Sequence, residues 1–175
     1  PLPGGSFLPY GNLEAGIVLD DAGGNEIGGP DTLSGNILCA NRYGGIHIYG
    51  DNAAGNTILN NYIGTAPGRP RTLGNGDNGI YVMAPGITIG KANPDNSLDG
   101  NIIAWNARAG IYVGYGQGTS IRGNSIYRNG TMGVDLGSGG LTPNDTTDGD
   151  SGPNTLLNYP IIESVTRHFS STDIK

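Results

Sequence analysis

A single cysteine, Cys39, stands in the 175 residues, so the chain has no internal disulfide. That leaves the compartment open, because a repeat fold reaches an oxidising location without disulfides. Basic residues are few: 9 Lys and Arg against 15 Asp and Glu give a formal charge of −6, with no basic cluster. Nucleic-acid binding, which rests on a basic footprint, is not expected. No apolar run approaches the roughly 20 residues of a membrane-spanning helix, so membrane insertion is not expected either. A signal peptide is also missing, and the opening "PLPGG" without Met reads as a processed product or a fragment.

Glycine, by contrast, is abundant. With 33 Gly and 11 Pro, the pair makes up 44 of 175 residues, near the level at which disorder becomes an option. Disorder calls for few β-branched and aromatic residues, yet Ile and Val recur here at fixed offsets. The phrase G-[IV]-x-[VIL] occurs as "GIVL" (16–19), "GIHI" (45–48), "GIYV" (79–82), "GIYV" (110–113) and "GVDL" (133–136). Two further apolar anchors follow each of the first four phrases: Ile27, Ile58, Ile89 and Ile121, then Leu38, Ile63, Ile103 and Ile126.

First and second anchors are 10, 12, 9 and 10 residues apart; second and third are 11, 5, 14 and 5 apart. From a third anchor to the next first one the spacings are 8, 17, 8 and 8. The shortest unit, 111–133, is thus a 23-residue coil of three short strands, and the others are that coil with insertions. A repeat of this length means a solenoid or a propeller. The alternation inside G-I-x-V has the period of two that strands require. The reading is an all-β solenoid, a parallel β-helix of about four to five coils with three short strands per coil, each coil about 4.8 Å above the last. Ile17, Ile46, Ile80, Ile111 and Val134 would then form one inward row, and Leu19, Ile48, Val82, Val113 and Leu136 a second.

The phrases "GNILCAN", "NNYIGTA", "GNIIAWN" and "GNSIYRN" place Asn36, Asn61, Asn101 and Asn124 two residues before a third anchor. Amides both donate and accept, and Asn tolerates the left-handed backbone of corners. An asparagine ladder, with a structural role, is therefore expected.

This pattern over 16–137 resembles the right-handed parallel β-helix repeats of the pectate-lyase-like superfamily. The stretch "GVDLGSGGLTPNDTTDGDSGPNTLLNYPII" (133–162) is similar to the segment that closes the β-helix in many large exported bacterial proteins. The resemblance implies a secreted or cell-surface location and flanking domains of a longer chain. The organisation expected is a lead-in (1–15), the β-helix (16–137), an acidic loop with a C-terminal cap (138–162), and the start of a following segment (163–175).

Three sets of residues are candidates for chemistry. The outward row beside the first inward one is Val18, His47, Tyr81, Tyr112 and Asp135; His47, Tyr81, Tyr112 and Asp135 would share a face suited to a polysaccharide. A surface tyrosine stack that merely ties strands together is the other reading. Enzymatic readings are a polysaccharide lyase or a glycoside hydrolase acting on an acidic polysaccharide. Of the motifs that the resemblance implies for the galacturonan hydrolases, only "DD" at Asp20–Asp21 and the "GIHIYG" around His47 are present. An inverting pair needs carboxyls about 6.5–9.5 Å apart, for which Asp20 or Asp21 facing Asp51 are the candidates; turn aspartates account for the same residues. Finally, Asp145, Asp148 and Asp150 crowd hard oxygen ligands suited to Ca²⁺, with a solvated turn cluster as the alternative. No other cofactor is implied.

Overall fold

The computed structural model describes residues 11–31, 33–68, 73–91, 99–137, 140–146, 149–168 and 172–174. Thirteen strands run in parallel and wind through three sheets. The first sheet stacks β1 (Ile17–Asp20), β4 (Ile46–Tyr49), β7 (Ile80–Met83), β10 (Ile111–Tyr115) and β13 (Val134–Leu136). The second stacks β2 (Glu26–Gly28), β5 (Thr57–Leu59), β8 (Thr88–Ile89) and β11 (Ser120–Ile121). The third stacks β3 (Ile37–Leu38), β6 (Tyr62–Ile63), β9 (Ile102–Ala104) and β12 (Ser125–Tyr127). Four complete coils and the opening strand of a fifth result, in the expected register: Ile17 pairs Ile46, Ile46 pairs Ile80, Ile80 pairs Ile111 and Ile111 pairs Val134.

Both inward rows fill the bore. Ile46, Ile48, Ile58, Ile63, Ile80, Val82, Ile89, Ile103, Ile111 and Val113 are fully buried. At the two ends Ile17, Leu19 and Leu38, and Ile121, Ile126, Val134 and Leu136, are only partly covered. Each full burial contributes roughly 1.5–3 kcal/mol before the ordering cost is set against it. The glycine before each of the first four first-sheet strands, Gly16, Gly45, Gly79 and Gly110, has a packing cause. A Cβ on Gly110 would lie 2.6 Å from Ile126 Cγ2 and 2.7 Å from the Gly133 carbonyl oxygen, so only glycine lets consecutive coils approach there.

Asparagines line the corners. Asn36, Asn61, Asn101 and Asn124 form the expected ladder: each Nδ2 donates to the Oδ1 of the next, at 2.9, 3.0 and 2.9 Å. A second ladder runs Asn41, Asn75, Asn106, Asn129 at the corner after the third strand, with Nδ2 to Oδ1 distances of 2.9, 2.8 and 3.0 Å. Forward counting from Ile63 meets Ala66 where this ladder needs an amide; the rung comes from Asn75, beyond the insertion. The spacing that finds it runs backwards, since Asn12, Asn41, Asn75, Asn106 and Asn129 all stand five residues before a first anchor.

At the C-terminal end, Asn154 closes a different corner, the one just before the second-sheet strand β11. Its Oδ1 accepts from the Thr119 N–H at 2.9 Å and its Nδ2 donates to the Thr119 carbonyl at 2.7 Å. It sits in a turn over Pro153–Leu156 whose Asn154, Thr155 and Leu156 all have positive φ, and Leu156 rests against Gly137. Leu156, Leu157 and Tyr159 line an apolar cleft of about 160 Å³ with Val134 and Leu136, although Leu157 and Tyr159, like Ile161 and Ile162, stay exposed. Further on, β14 (Val165–Arg167) and β15 (Thr172–Ile174) pair antiparallel with each other. No helix among the described residues is long and apolar enough to cross a membrane.

Candidate functional site

Parallel, in-register stacking turns equivalent positions into rows along the solenoid axis. On the outer face of the first sheet Val18, His47, Tyr81, Tyr112 and Asp135 are successive register partners. His47 and Tyr81 have ring centroids 5.3 Å apart and tilted by 47°, while Tyr81 and Tyr112 stack at 5.1 Å and 16°. Tyr49 adds a neighbouring ring, its hydroxyl 2.7 Å from His47 Nδ1. Burial pushes the His47 imidazole pKa down, with Asp77 and Glu14 working against it; a lowered pKa favours the neutral ring.

Beside this row runs another that reading of the sequence passed over. Glu14, Tyr43, Asp77, Arg108 and Thr131 all stand three residues before a first anchor, and their backbones bond in series from Tyr43 to Glu14 through to Thr131 to Arg108. Between the two rows lies a groove of about 510 Å³ lined by Asp77, Tyr81, Arg108, Tyr112, Thr131 and Asp135. Arg108 reaches Asp77, Nε to Oδ1 3.7 Å, with its side chain 69% exposed. Asp135 Oδ1 is shielded from solvent and meets no hydrogen-bond partner among the described residues. Burial raises the Asp135 carboxyl pKa, and Arg108 partly offsets this.

The stack ends at a definite place. Tyr81 covers one face of Tyr112, and the next position in the row is Asp135, which carries no ring. Tyr81 and Tyr112 both line the groove. On the adjoining corner Arg128 lies over the Trp105 ring, its guanidinium carbon 5.0 Å from the centroid, as expected for a cation–π pair.

The acidic residues near the start of the coil are engaged separately. Asp21 Oδ1 accepts from the Asn52 N–H at 3.0 Å and Asp21 Oδ2 from Asn52 Nδ2 at 2.8 Å, which holds its pKa below the ordinary value. Asp51 accepts from the Tyr115 hydroxyl, which raises the pKa of that phenol. Asp20 is an exposed residue at the end of β1, paired in register with Tyr49. Of the calcium candidates, Asp148 lies outside the described residues. Asp145 organises a turn: its backbone N–H donates to Asn158 Oδ1 at 3.0 Å and its Oδ2 accepts from the Gly149 N–H at 3.3 Å. Asp150 is partly exposed, and no three His, Cys, Asp or Glu among the described residues are grouped to hold a metal ion.

The model of the family described as "right handed beta helix region" matches residues 10–147. No curated protein and no solved structure matches the chain. With four-fifths of its length under that match and its strands stacked as they are, the chain belongs to the right-handed β-helix family.

Proposed function

We propose that this right-handed β-helix is a scaffold that binds polysaccharide along the outer face of its first sheet, with Tyr112 as the principal contact. The observation that carries the reading is the groove in which the stacked Tyr81 and Tyr112 rings stand beside Asp77, Arg108, Thr131 and Asp135. A pyranose is apolar on its C–H face and polar at its rim. Set in the groove against the tyrosine rings, it has its hydroxyls near a guanidinium, carboxylates and a threonine hydroxyl. His47 and Tyr81 lie on the same row, which extends the platform along the axis for neighbouring sugars. An extracellular or cell-surface location belongs to the same proposal, since that is where long polysaccharides are met; labelling of intact producing cells tests it.

The direct test is retention on neutral, amino and acidic polysaccharides, with calcium and with chelator, while released sugars are measured. Wild type should be retained without releasing products. Tyr112→Ala should weaken binding by about 2 kcal/mol or more, roughly thirtyfold, as for a central aromatic contact. Retention that survives Tyr112→Ala would remove this face from consideration, and shortened or unsaturated products would replace binding with catalysis.

A further inference from the structure

The charge of the groove narrows the class of saccharide, an inference that rests on the binding reading above. Two carboxylates and one guanidinium line it. The guanidinium leans toward Asp77, Nε to Oδ1 3.7 Å, and forms no ion pair with Asp135 among the described residues. Asp77 is further committed to its neighbour: its Oδ1 accepts from the N–H and the Nδ2 of Asn78 at 2.9 and 3.0 Å. Asp135 is left over. It follows Tyr112 in register, lines the same groove, and has an oxygen that is shielded from solvent without a donor among the described residues. A buried carboxylate oxygen with no donor is a costly arrangement that a ligand donor relieves. A uronic acid would bring its carboxylate toward Asp135, and like charges at close range repel.

We propose that the groove selects amino sugars, holding a protonated glucosamine-type ring on Tyr112 with its ammonium directed to Asp135. An ammonium supplies the donors that Asp135 lacks, and the adjacent tyrosine faces attract a cation as well. Acetylation of the same sugar removes the charge while leaving the ring to stack, so the comparison isolates the carboxylate's part.

The experiment is calorimetric titration of the full chain, in mildly acidic buffer, with four probes of equal length: glucosamine tetramer, N-acetylglucosamine tetramer, galacturonic acid tetramer and tetralysine. The glucosamine tetramer should bind about fivefold more tightly than its acetylated form, the size of one partly exposed ion pair of about 1 kcal/mol. Asp135→Asn should erase that difference and leave the acetylated tetramer's affinity in place; Tyr112→Ala should lower both. Equal binding of the two glucosamine forms, or tighter binding of galacturonate, overturns the amino-sugar assignment and leaves the saccharide reading standing. Tetralysine binding as well as the glucosamine tetramer overturns both, because charge alone would then be read. Binding of none of the four overturns the saccharide reading with it. Should Asp135→Asn fail to fold, raised salt serves instead: it should weaken the glucosamine tetramer selectively, and an unchanged ratio to the acetylated form counts against the proposal.

Discussion

The same substitution at two rungs of one ladder should have very different consequences. Asn101 is fully buried at the middle of its ladder. Its Oδ1 accepts from the Asn61 N–H at 2.9 Å and from Asn61 Nδ2 at 3.0 Å. Its Nδ2 donates to the Ile58 carbonyl at 2.7 Å and to Asn124 Oδ1 at 2.9 Å. In Asn101→Ala three of the four partners keep another bond. Asn61 Nδ2 still reaches the Ile27 and Leu59 carbonyls, Ile58 O still accepts from the Gly90 N–H, and Asn124 Oδ1 retains the backbone N–H of residue 101. The Asn61 N–H loses its acceptor and stays buried. One orphaned buried donor costs about 2 kcal/mol and three lost but shared bonds about 2 more, so the loss should be about 4 kcal/mol. That is a large part of the roughly 5–15 kcal/mol that holds a domain together. Asn36, the exposed first rung, donates its Nδ2 only to Asn61 Oδ1 among the described contacts, and Asn36→Ala should cost under about 1 kcal/mol. Urea titration followed by circular dichroism separates the two. With a slope of about 2–3 kcal/mol per molar, Asn101→Ala should lower the midpoint by about 1.3–2 M and Asn36→Ala by a few tenths. Equal shifts would refute the view that buried amide satisfaction, and not asparagine's corner conformation, is what the ladder supplies.

Three other perturbations test separate parts of the account. Gly110→Ala would place a methyl group 2.6 Å from Ile126 Cγ2 and 2.7 Å from Gly133 O, forcing two coils apart; a loss of about 1–3 kcal/mol is expected in the same titration, and a neutral result would deny the close approach. Asn154→Ala removes both bonds to Thr119, so amide exchange at Thr119 should accelerate markedly while Ile111 in the core is unaffected; unchanged protection would show that the turn does not seal that edge. Asp135 has a raised folded-state pKa, so the native state holds its proton more tightly than the unfolded chain and the group's favourable contribution is present at low pH and lost as pH rises through the folded value. Asp135→Asn should accordingly raise Tm at neutral pH and make no difference below about pH 3.5, where both states are protonated; an equal gain at both pH values would point to packing instead.

Most of the coil was legible because one constraint acts on every turn. Each strand must put its aliphatics into the same narrow bore, so Ile17, Ile46, Ile80, Ile111 and Val134 announce themselves at matching positions, and the outward row and the first asparagine ladder follow from the register alone. Insertions hid the rest. The 13-residue stretch 66–78 displaces Asn75 from the spacing that marks Asn41, Asn106 and Asn129, and only counting back from Ile80 recovers it. Asn154 was beyond reach for another reason: it completes a corner from outside the repeat, through a left-handed turn that no periodicity announces.

The groove was half legible for a related reason. Tyr81, Tyr112 and Asp135 lie on strands, where alternation tells outward from inward. Asp77, Arg108 and Thr131 lie at a corner, three residues before an anchor, and appear in the sequence as an acid, a base and a hydroxyl with nothing in common. A ladder position that tolerates Glu, Tyr, Asp, Arg and Thr in turn is one the fold does not constrain, because its side chains leave the coil and touch no core. Scaffold rows repeat their chemistry while rows free of the scaffold vary it. In a solenoid, then, the rows whose composition changes from coil to coil beside an uncovered aromatic face are where a binding site can be built without cost to the bore. The row of Tyr112 and Asp135 and the corner row of Asp77, Arg108 and Thr131 edge such a site; Asp135→Asn should alter ligand preference and Tyr112→Ala should lower affinity, each leaving the parallel stack of strands intact.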